Sequence, residues 1–277
     1  MPPGGKGSCH KTVKLHCDRG HSAVLLLFCS VMIVYIQTDK FEFMGEKGIV
    51  KKAYFNWSSG KDSAFALYKA LNSGVYDIQS LFSIIKKDGS KIAMHEIGID
   101  LLKRQTEAIG IPLTVLELDV TASPDEYKKS MEIQMEKFKE DQINTALFGD
   151  IYLQNLRDQR IANCKQQGME AEFPLWKIDT DELLKEFISL GFKSIVTCVD
   201  GAVLDESFVG RVIDASFLND LPDGVDVCGE NGEYHSFVFD GPIFRNPVEF
   251  EIVQRYHKDY PDKTNTLQNR YWYLELR

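Results

Sequence analysis

The sequence has no CxxC pair. Its six cysteines, Cys9, Cys17, Cys29, Cys164, Cys198 and Cys228, are scattered. That spacing argues against a disulfide-stapled secreted fold and for free thiols in a reducing compartment, with those in the body of the chain buried. Cys9, His10, Cys17 and His21 match no common zinc-finger spacing. No Lys/Arg run exceeds pairs such as Lys51-Lys52 and Lys86-Lys87, and 32 basic against 41 acidic residues leave a net charge of −9. Sequence-independent nucleic-acid binding rests on neutralising phosphates, so no nucleic-acid partner is expected. Repeats and low-complexity linkers are absent as well.

Nor does the chain hold an apolar stretch of the ~20 residues that a membrane-spanning helix requires. A basic, Gly/Pro-rich start leads into an apolar run from Ser22 to Ile36, which resembles a signal sequence or anchor. No small-residue cleavage site follows it. Met44 precedes a short polar stretch and the first convincing strand. Residues 1–43 are therefore expected to be a non-native or dispensable extension of a cytoplasmic protein, with no membrane partner. At 44% hydrophobic and 11% aromatic content, the 277-residue chain suits one large or two modest globular domains.

From Met44 onward strands alternate with helices. The pattern predicts strands at Ala53–Trp57, Ile78–Ile85, Leu113–Leu118 and Ala146–Gly149. Between them it predicts helices at Lys61–Ser73, Glu96–Ile109 and Pro124 to about Glu140, with an Asp88-Gly89 turn. Such alternation implies an α/β fold with a parallel sheet covered on both faces. After about Phe173 the texture changes to a helix at Asp181–Leu190, a strand at Ser194–Val199, and a hairpin of Val225–Cys228 with Tyr234–Asp240 around Asn231-Gly232. An ATP-binding domain over 44–172 and a smaller α+β substrate domain over 173–277 are expected.

The first strand runs into Trp57-Ser58-Ser59-Gly60-Lys61-Asp62-Ser63, and a helix begins there. N–H groups at a helix start lack intrahelical partners, carry partial positive charge and attract anions. Ser58, Ser59 and Ser63 add hydroxyl donors, and Lys61 adds a full charge. This is not a GxxxxGK[ST] loop. Phe55 stands at the first glycine position, and Asp62 follows Lys61 where Ser or Thr would stand.

The string resembles the SGGKDS loop of the ATP pyrophosphatases, or PP-loop enzymes. That resemblance implies a Rossmann-like, HUP-type sheet and cleavage of ATP to AMP and pyrophosphate. Ser59 stands where most members carry glycine, so a φ > 0 there would strain it. Further matches are Met94-His95, Leu101, Leu102, Gln105, Gly110-Ile111-Pro112-Leu113, Gly149-Asp150, Arg157, Phe173-Pro174-Leu175-Trp176, Cys228 through Phe237, and Asp240-Gly241-Pro242. Together, over about residues 51–245, they resemble the diphthine–ammonia ligase family.

The resemblance implies adenylation of a carboxylate by ATP, then displacement of AMP by ammonia. The acceptor would be a carboxylate on a modified protein side chain. Ser58, Ser59, Gly60, Lys61, Ser63, His95, Gly149, Asp150 and Arg157 are the expected nucleotide-binding residues. Lys61, with the loop N–H groups and Mg²⁺, would carry the charge of the departing pyrophosphate. Asp62 and Asp150 are candidates to hold Mg²⁺ or orient the loop; a plain helix N-terminal charge is the alternative for Asp62. Arg157 would pair with phosphate or a substrate carboxylate, or form a surface ion pair. Glu230 and Glu233 would bind a cationic substrate or ammonium, or act as base; solvated acids on a hairpin are the alternative. Paired cysteines and a basic surface, as in thiolating relatives, are absent, and the chain leaves no room for a glutaminase domain. A non-catalytic nucleotide sensor and another carboxylate acceptor stay open, as does a homodimer.

Overall fold

The computed structural model describes residues 50–87, 97–119, 121–261 and 268–277, with three strands nearer the start. His95, Met94 and the expected Asp88-Gly89 turn lie outside the described residues. The chain divides into two compact units, Met1–Lys47 and Gly48–Arg277. The first holds an antiparallel sheet of β1 (Val13–Cys17), β2 (His21–Phe28) and β3 (Val31–Ile33). Among the described residues no helix is long and apolar enough to cross a membrane.

The second unit begins with a parallel sheet of five strands. These are β4 (Lys51–Asn56), β5 (Tyr76–Lys86), β6 (Leu113–Leu118), β7 (Thr145–Leu147) and β8 (Glu170–Glu172), in the order β6-β5-β4-β7-β8. The chain winds outward from β4 through β5 to β6, then returns to β7 on the opposite side of β4. Strand order therefore reverses between β4 and β7, and in open α/β sheets ligands bind outside the carboxyl ends at such a switch point. Ser58–Ser63 and Gly149-Asp150 both leave strands there.

Side chains alternate across the sheet as a pleat requires. Ala53 and Phe55, with Leu81 and Leu147, face α1 (Lys61–Asn72) and α2 (Ile99–Ile109) through Ala64, Phe65, Leu101 and Leu102. Tyr54, Phe82 and Ala146 face α3 (Pro124–Glu140) and α4 (Gln154–Gln166) through Met135, Phe138 and Cys164. Tyr54 stacks on Phe138 at 4.5 Å, and its hydroxyl donates to Met135 Sδ at 3.2 Å. α3 begins where Ser123 and Glu126 form a reciprocal capping box ahead of Pro124. Helix α2 starts at Ile99 after Gly98, three residues later than the pattern predicted.

An antiparallel sheet follows, ordered β10-β9-β12-β11. Its strands are β9 (Lys193–Asp200), β10 (Tyr234–Asp240), β11 (Ile252–Pro261) and β12 (Gln268–Leu276). Helices α5 (Thr180–Ser189) and α6 (Ala215–Asp220) accompany it. One hydrophobic core runs between the sheets: Phe65 of α1 meets Phe187 and Phe192 edge-on, each at 6.1 Å. Cys164, Cys198 and Cys228 are buried thiols that form no disulfide among the described residues.

The expected hairpin of Val225–Cys228 with Tyr234–Asp240 does not form. β10 pairs with β9 instead, and residues 225–233 make a turn. Side chains rather than a strand ladder satisfy that backbone. Asp226 accepts from Glu230 N (2.8 Å), Glu233 accepts from Asn231 N (3.0 Å), and the Tyr234 hydroxyl donates to Val227 O (2.6 Å).

Candidate active site

The loop after β4 is set by main-chain contacts. Trp57 N–H donates to Phe82 O at 2.8 Å, and Ser83 Oγ donates to Trp57 O at 2.6 Å. Gln105 of α2 then ties three segments together. Its Oε1 accepts from Trp57 Nε1 (3.1 Å), and its Nε2 donates to Ser59 O (3.1 Å) and Val238 O (2.6 Å). Val238 N also donates to Ser59 O, at 3.0 Å. These bonds hold Ser59 at φ 71°, a left-handed conformation costly for a residue with a Cβ. Ser59 is fully buried, and its Oγ has no hydrogen-bond partner among the described residues.

Gly60 precedes α1 with an extended φ of −91° and ψ of 176°, and as the N-cap residue it has no side chain to cap the helix. Ser236 Oγ of β10 instead accepts from Lys61 N at 3.2 Å. A Cβ on Gly60 would stand 3.1 Å from Ser236 O, so a side chain here would push the second sheet back by a few tenths of an ångström. Ser58 and Ser63 face each other, Oγ to Oγ, at 3.0 Å. Gly149 closes the other side: a Cβ there would stand 3.2 Å from the Asp62 and Ser63 backbone.

Lys61 is buried. Its Nζ donates to Asp62 Oδ2 at 2.9 Å and to the Cys228 carbonyl, and lies 4.8 Å from the Tyr234 ring centroid. Burial disfavours the ammonium, but the charge of Asp62, with Tyr234 and Cys228, outweighs it and holds Lys61 protonated, above its ordinary value. Burial pushes the Asp62 carboxyl up while Lys61 pulls it back. Asp62 Oδ1 is buried with no hydrogen-bond partner among the described residues. Asp150 Oδ2 lies 2.7 Å from Arg160 Nε, and burial raises its carboxyl against that pull. Glu230 Oε1 accepts from Ile151 N at 2.9 Å. Burial lifts Glu230 to about 7; the Ile151 bond opposes the shift, and the charges of Asp62 and Asp150 reinforce it.

Ser58, Gly60, Lys61, Asp62, Ser63, Gly149, Asp150 and Glu230 line one cleft of about 240 Å³. Three other expected residues stand apart. Ser59 lies behind the loop. Glu233 spends its carboxylate inside the turn, accepting from Asp226 N, Asn231 N and Asn231 Nδ2. Arg157 packs against Phe173 and Trp176, with its Cζ 5.1 and 4.8 Å from the ring centroids. Tyr234, His235 and Ser236 of the matched 228–237 segment also line the cleft, and so does Arg160, which sequence reasoning did not single out. Burial lowers His235 to about 4, so it is neutral at physiological pH.

A second cavity of about 290 Å³ lies between α3 and α4. Tyr54, Ile84, Met131, Met135 and Phe148 give it apolar walls, and Asn56, Asn163 and Gln167 give it polar groups. Arg160 borders both spaces. Among the described residues no three His, Cys, Asp or Glu side chains converge on a metal position. The unpartnered Asp62 oxygen, with Asp150 nearby, nevertheless fits Mg²⁺, which takes one or two protein carboxylates and fills its octahedron with phosphate oxygens and water.

Residues 51–171 match the diphthamide synthase N-terminal domain, and residues 179–268 match the diphthamide synthase C-terminal domain. The chain belongs to the diphthine–ammonia ligase family. A diphthine–ammonia ligase from Bos taurus is 26% identical over 214 residues, covering 69% of this chain and 79% of the relative. The Danio rerio diphthine–ammonia ligase is 26% identical over 219 residues, covering 71% and 85%. Among solved structures, the U34-tRNA thiolase NcsA from Methanococcus maripaludis aligns at TM-score 0.33 and 15% identity. That match covers 52% of this chain and 59% of the thiolase, a likeness too slight to bear on function. Within this diphthine–ammonia ligase family member, the matched N-terminal region supplies the loop and Asp150, and the C-terminal region supplies Glu230 and Ser236.

Proposed function

We propose that the chain is an ATP-dependent ligase that adenylates a carboxylate, releases pyrophosphate and lets ammonia displace AMP to give an amide. The observation that carries this reading is the start of α1, which follows a glycine N-cap with no side chain of its own and bears buried, protonated Lys61, at the sheet's switch point. The cleft at that start suits the β- and γ-phosphates. The cavity between α3 and α4 suits the adenosine, with apolar walls for the base and amides for its polar edge.

An ionised carboxylate resists amines because its leaving group is poor. In the first step a carboxylate oxygen bonds to the α-phosphorus, and the bond from that phosphorus to the bridging oxygen breaks. The electron pair leaves with pyrophosphate. Lys61, the loop N–H groups and the Ser58 and Ser63 hydroxyls neutralise that charge. Mg²⁺, held by Asp62 and Asp150, would supply further charge neutralisation on the phosphates. Ammonia then attacks the acyl carbon, AMP departs, and Glu230 accepts the proton that the new amide must lose.

Diphthine, which the relatives' names carry, is the proposed acceptor: a carboxylate on a modified protein side chain. The buried thiols, in no disulfide among the described residues, support a cytoplasmic setting. The test is AMP and pyrophosphate formation from ATP with ammonium and diphthine-bearing protein or other carboxylates. ATP binding with no pyrophosphate for any acceptor would make the chain a nucleotide sensor and sink the ligase reading.

A further inference from the structure

We propose that Arg160 binds the α-phosphate of ATP and of the acyl-adenylate, and that it stabilises the charge on that phosphate during transfer. The inference rests on the nucleotide assignment above. Arg160 borders both spaces, the cleft at the start of α1 and the cavity between α3 and α4. A nucleotide with its base in one and its terminal phosphates in the other must carry its α-phosphate past this side chain.

The guanidinium is held for such a role. Its Cζ lies 4.6 Å from the Phe148 ring centroid, which fixes its plane, and its Nε stands 2.7 Å from Asp150 Oδ2. The Nε–H is not aligned for a hydrogen bond to that oxygen. Asp150 is 7% exposed whereas the Arg160 side chain is 34% exposed, so the carboxylate anchors the arginine from below. Arg157, one turn earlier, is engaged by Phe173 and Trp176 and does not line the cleft. Guanidinium forks match phosphate oxygens bidentately, and this one stands where the non-bridging oxygens gain charge as the carboxylate attacks.

The role predicts a split between ligands. AMP carries the α-phosphate; inorganic pyrophosphate does not. Calorimetric titration of the full chain with AMP and with pyrophosphate should show Arg160→Ala weakening AMP by about 10- to 100-fold, the equivalent of one or two charge-assisted hydrogen bonds. Pyrophosphate affinity should stay within about twofold. Arg160→Lys keeps the charge and the stem but loses the fork, so it should bind pyrophosphate normally and AMP weakly. Any preference of the parent chain between the two diastereomers of adenosine 5′-(1-thiotriphosphate) should collapse in Arg160→Lys. Unchanged AMP affinity in both variants, or parallel loss of AMP and pyrophosphate in Arg160→Lys, would overturn the assignment. Selective loss of AMP without amide formation for any acceptor would uphold Arg160 and reject the ligase reading.

Discussion

The two walls of the cleft are built by opposite means. On the parallel-sheet side, residues 57–63 are placed largely through their backbone: Trp57 on Phe82, Ser59 on Gln105 and Val238, and Gly60 against Ser236. On the antiparallel side, the backbone bonds Gly229 N to Asp226 O and Gly232 N to Gly229 O are joined by side chains, with Asp226 and Glu233 taking N–H groups of the turn. A wall fixed by its backbone leaves the side chains of Lys61, Asp62 and Ser63 for chemistry. A wall fixed by its own carboxylates must spend some of them, so Glu233 is committed and Glu230 remains.

The sharpest way to break this contrast is Lys61→Ala. Removing the cation from the backbone-built wall should cut pyrophosphate release by about 10²- to 10³-fold. The far-ultraviolet circular dichroism should not change. Unchanged turnover would refute the role given to the loop.

Next is Glu230→Gln on the opposite wall. If Glu230 accepts the ammonia proton, amide formation falls by about 10²-fold or more while ATP–pyrophosphate exchange continues. The rate in the parent chain should rise with pH through about 7, and the variant should lose that rise. Stability moves the other way. A carboxyl raised from 4.5 to about 7 on folding contributes stability that is full below 4.5 and lost as pH rises through 7. Melting temperatures of Glu230→Gln should therefore depend less on pH over that window.

Glu233→Ala probes the turn itself. Three donors lose their acceptor, and a cost of about 2–3 kcal/mol is expected in denaturant unfolding. Amide formation should suffer more than adenylation, because the turn positions Glu230. Equal loss of both half-reactions would show that the two walls do not work separately.

The smallest effect tests the backbone wall from the side of strain. Ser59→Gly removes a left-handed serine and its unpaired hydroxyl, and should stabilise the chain by about 1–2 kcal/mol. A destabilised variant would mean that the serine hydroxyl has a partner worth more than the strain.

Local signals were legible where local physics dominates. β4 through β6 and the helices among them follow from apolar periodicity and from Gly and Pro stops. Helix α4 escaped because only Cys164 on it is buried, which leaves no apolar stripe to read. β11 escaped because nearly all of it is exposed, without alternation. The Asn231-Gly232 signal was real as a turn and misleading as a hairpin, since the preceding residues bond to side chains and β10 finds β9. The resemblance points to Arg157, whereas in the structure Arg160 lines the cleft and Arg157 packs on Phe173 and Trp176. Three residues differ by roughly 60° in azimuth, enough to face an aromatic pair instead of the cleft.

By itself, the sequence determined that a tight glycine turn joins strand β4 to helix α1, the frame of the proposed anion site. Strand, turn and helix start lie within a few residues of one another, so their chemistry is local. Only the tertiary structure decided what completes that site. The Ser236 hydroxyl on Lys61 N and the Cys228 carbonyl on Lys61 Nζ come from about 170 residues away. They arrive because the aromatic core beneath α1 joins the two sheets, and long-range packing of that kind leaves no spacing in the sequence to read.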